Sequence, residues 1–212
     1  MDIYTAINTR RTIRDFDDRP IEMDIVEKII DSGLKAPTND HMRSWEFVIV
    51  NDKSARADVL NAIHQTTPTA KTEINNILDS WGMTDNVQRN MYLDAVPKQY
   101  AMLYNAGCLV LPFFRNEDPL LQPKTLSCLN GFASIWCCIE NMLLAAAAEG
   151  IFGVTRIPCG HEPQHIKNVI HHPDDYVLPC YIGLGYPKKD AVINIQKEVS
   201  AKDKIHIDKW RK

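Results

Sequence analysis

Apolar residues recur along the chain at two spacings. Ile3, Ala6 and Ile7 fit one face of a short first helix. Ile25, Val26, Ile29, Ile30 and Leu34 repeat at helical spacing, with Asp24 and Glu27 placed as a capping pair and Gly33 and Pro37 as stop signals. Trp45 to Val50 is rich in β-branched and aromatic residues and predicts a buried strand. A helix from about Ser54 to Ile63 follows. Ile74, Ile77, Leu78 and Trp81 form another helical stripe, and a further helix runs through Val87 and Met91 and breaks near Pro97. Cys108 to Phe114 predicts a second strand, although Pro112 counts against a central place in a ladder. Leu126 to Glu149 predicts one long helix, apolar nearly all round and so buried on most sides, ended by Gly150. Phe152 to Ile157 and Val177 to Leu184 predict two more strands, and Pro163 opens a short helix.

Helices and strands mix without strict βαβ alternation. The reading is therefore α+β: a central mixed sheet flanked by helices, one domain over residues 1–190. Residues 191–212 carry Ile193, Ile195, Ile205, Ile207 and Trp210 among many charges. They cannot bury these alone, which points to an arm packed on a partner subunit. With 212 residues, 45% of them hydrophobic and 24% charged, the chain can form one sizeable core. A formal net charge of −3 gives no reason to expect nucleic acid or an anionic membrane as partner. The six cysteines show no CxxC pair, which favours reduced thiols in a cytosol. The start at Met1-Asp2 has no basic-then-apolar pattern, and the apolar run Met142 to Ala148 is too short to span a bilayer. The expectation is a cytoplasmic protein.

Two polar segments could carry chemistry. Arg10-Arg11-Thr12-Ile13-Arg14 places three guanidiniums and a hydroxyl within five residues, a donor set matched to phosphate oxygens. The plainer alternative is a solvated basic loop neutralised by Asp15, Asp17 and Asp18. Lys35 to Trp45 is a polar loop between a helix and a strand, where Asn39, His41 and Arg43 can hydrogen-bond the edge of a polar heterocycle. Ordinary Asn and Asp turn chemistry is its alternative reading.

The order and spacing of these segments resemble the nitroreductase family. Its members open with a helix, an Arg-Arg-Ser-x-Arg-x-Phe segment, a second helix, and Ala-Pro-Ser…Trp-x-Phe leading into a strand. The counterparts are Arg10-Arg11-Thr12-Ile13-Arg14-Asp15-Phe16 and Ala36-Pro37-Thr38…Trp45-Glu46-Phe47. Glu140 to Ala146 followed by Glu149-Gly150-Ile151 resembles the family's long core helix and its exit. Pro179 to Pro187 resembles the last core strand, and His206…Trp210 the closing His-x-x-x-Trp. The resemblance implies a homodimer with FMN at the subunit interface. It implies phosphate held by Arg10, Arg11, Thr12 and Arg14, with Lys188, Lys189 or Lys197 as a further basic contact and Lys197 the one placed with the site. It brings Lys35, Thr38, Asn39, His41 and Arg43 to the flavin, often from the other subunit, and lays backbone near Gly153 and Val154 by the ring. The implied reaction is ping-pong hydride transfer from NADH or NADPH through FMN to a nitroaromatic, quinone or similar electrophile, with no obligatory protein acid or base. Reductive dehalogenation and a non-enzymatic flavin-binding dimer are the alternatives. Where the family has Asn-x-Gln-Pro-Trp, this chain has His41-Met42-Arg43-Ser44-Trp45.

His161-Glu162-Pro163-Gln164-His165 matches the HExxH zinc pattern, but that pattern needs both histidines on one face of a continuous helix. Pro163 suits a helix start and would leave His161 outside it, so no metal is expected and a metallohydrolase over His161 to His172 is the weakest rival. Gly183-x-Gly185 lacks the rest of a dinucleotide fingerprint. Cys137-Cys138 lies in an apolar run and reads as core.

Overall fold

The computed structural model describes residues 1–39, 41–65 and 71–210. The helices are α1 (Ile3–Thr9), α2 (Met23–Gly33), α3 (Lys53–Leu60), α4 (Lys71–Ser80), α5 (Asn86–Ala95), α6 (Ala101–Tyr104), α7 (Asn130–Ala148) and α8 (Glu162–Ile170). The strands are β1 (Trp45–Val50), β2 (Cys108–Arg115), β3 (Phe152–Arg156), β4 (Tyr176–Val177) and β5 (Tyr181–Gly185). They form one sheet in the order β1-β2-β5-β3, with β4 also on β2. All strand pairs are antiparallel. Among the described residues the parallel component is a single bridge, Thr12 to Gly153, at the sheet's edge.

The alternation along β2 explains the layering. Cys108, Val110 and Phe114 face one side and pack with α2 and α7 residues such as Val26, Ile29, Ile139 and Met142. Leu109, Leu111 and Phe113 face the other side, against Leu60 of α3, Leu103 of α6 and Ile166 of α8. A strand buried on both faces reads as a continuous apolar run, as β2 does. Gly33 lets α2 approach α7 closely: a Cβ there would lie 2.6 Å from Met142 Cγ and 2.9 Å from Cys138 Sγ.

Pro112 is within the ladder after all. The Arg115 N–H donates to Ser44 C=O on the β1 side, and Asn116 N–H to Asp175 C=O on the β4 side. Alternation therefore turns the Pro112 nitrogen away from β1. On that side β2 pairs β5 through Cys108 to Val110 and β4 through Phe114 and Arg115, so Pro112 sits in the gap between partners. Its missing donor leaves no ladder bond unmade.

Other expectations need correction. The Asp24–Glu27 capping pair does not form: α2 is preceded by Glu22 at the N-cap with no side-chain cap bond. Val177 to Leu184 is two strands, β4 and β5, interrupted at Leu178 to Cys180 where Pro179 cannot donate. The long helix begins as a 3-10 turn, Leu126–Leu129, before α7. α7 is less enclosed than its composition suggests, since Trp136, Leu143 and Leu144 are half-buried and Cys137 is exposed. The turn and α7 together are long and apolar enough to cross a membrane, but Ile135, Cys138, Ile139, Met142 and Ala146 lie in the core. In α1 only Ala6 is buried, while Ile3, Tyr4 and Ile7 are exposed. The alternating tail forms no strand among the described residues; it holds only a 3-10 turn, Ala201–Asp203.

Two buried arginines tie elements together. The Arg56 guanidinium is 1% exposed and donates to the carbonyls of Val50, Tyr104 and Ala106 at 2.5–3.1 Å, joining the ends of β1 and α6 to the start of β2. Arg156 pairs with Glu162 through both nitrogens and donates from Nε to Gln99 Oε1 at 2.8 Å, joining β3 to α8.

Candidate functional site

The segment after α1 acts as an extra edge to the sheet. Thr12 bridges Gly153 in β3, Phe16 bridges Pro187, Asp17 N–H donates to Tyr186 C=O at 2.9 Å, and Lys188 N–H to Asp15 C=O at 3.0 Å. Ile13 and Phe16 point into the core, each 2% exposed. Gly185 makes room for Phe16, because a Cβ there would meet the ring at 2.6 Å. With the apolar residues anchored inward, Arg10, Arg11, Thr12 and Arg14 are left lining a cavity of about 630 Å³.

The opposite walls come from two further segments, of which the sequence had joined only Lys197 to the site. Asp85, Val87, Gln88 and Met91 belong to the start of α5, and Asn194 to Lys197 belong to the arm. α5 is held over the cavity through α4: Trp81 packs edge-on against Tyr92 at 5.7 Å, and Arg89 bonds Asp79 at 2.7 Å and Asn75 at 2.9 Å. Val87 and Met91 carry helical periodicity, but so does any core face, and only the packing shows them at a cavity. Four cations, Arg10, Arg11, Arg14 and Lys197, line it against one carboxylate, Asp85. Val87, Met91 and Ile195 supply an apolar surface. Such a cavity suits a ligand with an anionic end and a flat apolar body.

The cations differ in how firmly they are held. Arg14 lies 3.5 Å from Asp94, both nearly buried, and Lys98 bridges Asp94 and Asp15 at 2.5 and 2.6 Å. Burial lowers the Arg14 proton affinity, with Asp94 and Asp15 opposing. Burial also pulls Lys98 down, but its hydrogen bonds to Asp15 and Asp94 outweigh this and hold it above the usual ammonium range. Arg10 reaches Glu140 at 3.3 Å, and Lys197 reaches Asp85 at 3.3 Å. Among the described residues Arg11 has no carboxylate partner; it donates to the carbonyls of Asn8 and Arg10 at 2.7 Å. Arg11 is thus the freest cation in the set.

The loop after α2 builds a second, separate cavity of about 450 Å³, lined by Thr38, Asn39, Met42, Arg43, Ser44 and Trp45 and by residues of β2 and the α7 entrance, among them Phe114, Arg115 and Asn130. His41 and Arg43 have φ of 61° and 46°, left-handed values that cost non-glycine residues roughly 1–3 kcal/mol each. The Arg43 side chain helps hold this shape, donating to Leu34 C=O at 2.9 Å and His41 C=O at 3.2 Å. The Thr38 hydroxyl is buried with no hydrogen-bond partner among the described residues. A buried hydroxyl without a partner costs about 1–3 kcal/mol, so Thr38 has hydrogen-bonding capacity to spare for a water or a ligand group.

In a single chain the two sequence clusters thus occupy two cavities. The remaining site candidates lie elsewhere. His41 is exposed and is not in the lining of the second cavity. Lys35 is exposed and lines a different cavity with Met1 to Ile3 and α7. Gly153 and Val154 are interior to β3, buried under Leu143, Leu184 and the core, and in neither lining. Lys188 is also outside both linings, whereas Lys197 is in the first.

Of the HExxH residues, Glu162 and His165 have other side-chain partners and His161 lies before the helix. His161 is the N-cap of α8, Glu162 is paired with Arg156, and a His165 ring nitrogen lies 2.7 Å from Asp58 C=O. Burial pulls the Glu162 carboxyl upward, but the hydrogen bonds and charge of Arg156 outweigh it and hold it below the usual range. Cys138 is buried and its thiol is pushed up to about 12 by desolvation, so it carries no thiolate at neutral pH.

The residues present fit FMN. The four cations of the first cavity match a phosphate, and Val87, Met91 and Ile195 in the same lining match a ring system. Comparison with known proteins gives the same answer. The nitroreductase family model matches residues 7–186. The iodotyrosine deiodinase of Haliscomenobacter hydrossis is 33% identical over 205 residues, spanning 96% of this chain and 86% of that protein. Nitroreductase A of Vibrio parahaemolyticus superposes with a TM-score of 0.69 at 18% identity, covering 100% of this chain and 78% of that one. Oxidized iodotyrosine deiodinase bound to FMN and 3-iodo-L-tyrosine gives 0.69 at 17% identity, covering 99% and 100%. The chain belongs to the nitroreductase family, a family of flavoprotein oxidoreductases whose cofactor is FMN.

Proposed function

We propose that the protein is a homodimeric, FMN-dependent reductase that takes electrons from NADH or NADPH and passes them to a small electrophile. The observation that carries the reading is the cavity at Arg10 to Arg14, lined by four cations together with the apolar Val87, Met91 and Ile195. When bound, FMN supplies two-electron transfer between a nicotinamide donor and an acceptor that takes its place. Arg11 and Thr12 hold the phosphate by charge-assisted hydrogen bonds, with Arg10 and Lys197 beside them. Val87, Met91 and Ile195 shelter the ring end from water. Thr38, Asn39 and Arg43 would come from the second subunit, where Arg43 would supply positive charge to the bound flavin. The exposed Ile3, Tyr4 and Ile7 of α1 and the apolar residues of the arm, Ile193, Ile205 and Trp210 among them, supply surface for that subunit contact. Residues 1–190 form the catalytic domain and 191–212 the arm. Six free cysteines suit a reducing cytosol.

The test is the visible spectrum of the protein after FMN is added and excess removed, followed by NADH or NADPH without oxygen. A retained flavin band that bleaches is expected. Failure to retain FMN would end the proposal. A retained band that neither nucleotide bleaches would move the reading to a flavin-binding dimer or another reductant.

A second reading is reductive dehalogenation of a halogenated phenol, favoured by the 33% identical relative, an iodotyrosine deiodinase. The polar lining of the second cavity, with Asn39, Arg43, Arg115 and Asn130, suits an acceptor bearing hydrogen-bonding groups. Comparing turnover of 3-iodotyrosine with that of a nitroaromatic under one reductant separates the readings. A rate at least tenfold higher on the iodinated substrate would select this one.

A further inference from the structure

This inference rests on the flavin reading above and concerns how the phosphate end of the cavity is kept closed. Of the four cations there, three already have carboxylate partners, and the three pairs are not equivalent. Arg14 and Asp94 are nearly buried, with side chains 11% and 13% exposed, and are locked to Lys98. Arg10 and Glu140 join α7 to the N-terminal segment across 3.3 Å. Lys197 and Asp85 are 73% and 43% exposed, and Lys197 sits on a stretch of arm without regular structure.

Asp85 has two roles. One oxygen, Oδ1, caps α5 by accepting the Gln88 N–H at 2.9 Å. The other, Oδ2, accepts from Lys197 Nζ at 3.3 Å. The cap also marks the end of the helix that roofs the cavity, and the arm residues Asn194 to Lys197 form its neighbouring wall. Besides this pair, the wall is tied by a long contact of 3.5 Å from Asn194 Nδ2 to Asp94 Oδ2. Among the described residues, the polar hold on this part of the arm thus rests on these two contacts, one of them to a carboxylate in the cavity lining.

We propose that Asp85 is a built-in competitor of the flavin phosphate for Lys197. Without flavin, Asp85 holds Lys197 and keeps the arm against α5. When the phosphate enters, Lys197 transfers to it, and Asp85 keeps only its capping role. A phosphate with a charge of roughly −1.5 to −2 and three acceptor oxygens outbids a single carboxylate oxygen. Lysine can make the exchange because its ammonium is a compact charge on a flexible stem, without the fixed fork of arginine. Exposure makes the pair weak enough to release, whereas the near-buried Arg14–Asp94 pair stays in place. Arg14 is therefore a positioning residue in this scheme, and Lys197 a ligand that arrives with the arm.

The test uses FMN titration into flavin-free protein, read by quenching of flavin fluorescence, with riboflavin as the ligand lacking phosphate. Asp85→Asn keeps the cap, since asparagine caps about as well as aspartate, and removes the charge. It is expected to lower the FMN Kd about two- to fivefold, the range for an exposed pair, and to leave the riboflavin Kd unchanged. Lys197→Ala is expected to raise the FMN Kd about tenfold, the effect of losing one charge-assisted contact, and to shrink the gain from Asp85→Asn when the two are combined. Faster proteolysis of the arm in flavin-free Asp85→Asn than in flavin-free wild type would support the tether directly. An Asp85→Asn protein with the FMN affinity of wild type, or a gain of equal size for riboflavin, overturns the competition while leaving the flavin reading intact. Wild-type protein that binds no FMN overturns both.

Discussion

Two groups of cations in this molecule sit under opposite conditions. Arg56 and Arg156 are in the core, and their donors are met by fixed partners: three backbone carbonyls for Arg56, and Glu162 with Gln99 for Arg156. Arg10, Arg11 and Lys197 are at a cavity wall, where partners are a half-exposed carboxylate, a nearby carbonyl or an arm contact. Burying a charge is costly unless it is fully compensated, so core arginines are saturated by construction. Cations at an open wall keep part of their hydration and remain available to a ligand. Charge alone does not mark the site; incomplete satisfaction does.

The contrast can be broken most strongly at Glu162. Glu162→Ala leaves the Arg156 charge buried and unpaired, and a stability loss of about 3–5 kcal/mol is expected in denaturant unfolding. A loss below about 1 kcal/mol would mean that the pair is not sealed from water. Arg56→Met comes next, with about 2–3 kcal/mol expected, because the carbonyls of Val50, Tyr104 and Ala106 lose their donor.

A pH titration sharpens the same point. Glu162 is held below the usual carboxylate range in the folded state, so the unfolded chain binds its proton more readily. Its stabilisation is fully present above the ordinary glutamate value of about 4.3 and is lost as pH falls through the lower folded value. Glu162→Gln should flatten that acid limb of the stability curve; an unchanged limb would assign it to other carboxylates.

At the cavity the expected signature reverses. Arg11→Ala should leave stability within about 0.5 kcal/mol, as for a surface change, yet weaken FMN binding about tenfold with riboflavin unaffected. The smallest effect is expected at Thr38. Replacing a buried, unpartnered hydroxyl by an isosteric methyl in Thr38→Val should leave unliganded stability unchanged or slightly higher, while FMN affinity falls about two- to tenfold. A clear loss of stability without flavin would show that the hydroxyl already has a partner in the dimer.

Much of the architecture is legible in the chain because it is local. Wherever a run of apolar residues meets a breaker, as at Val50, Gly150 or Pro163, the element and its end are readable. The misses share one cause, which is that they depend on neighbours. Pro112 is tolerated only because β5 ends and β4 begins on its open side. Asp24 lost its capping role to Glu22, because the helix starts two residues earlier, at Met23, and Ile3 and Ile7 kept their apolar face without a core to meet it in one chain. The site divides in the same way. Arg10, Arg11, Thr12 and Arg14 were visible as a donor cluster within five residues, and Lys197 as one basic residue among three. Asp85, Gln88 and Met91 carried no signal beyond a helical stripe, and of the arm residues Asn194 to Gln196 only Ile195 stood out, as an apolar residue of a packed arm.

The sequence by itself determined the α+β class, the family and the cluster of donors after the first helix, because periodicity and short motifs are properties of neighbouring residues. Only the tertiary structure decided which cations are free. Arg14, Arg56 and Arg156 are as basic in sequence as Arg11, and their partners Asp94, Val50, Ala106 and Glu162 are named by packing, not by spacing. Electrostatic availability depends on burial and on what the fold places within hydrogen-bond reach, and neither is written in the order of residues.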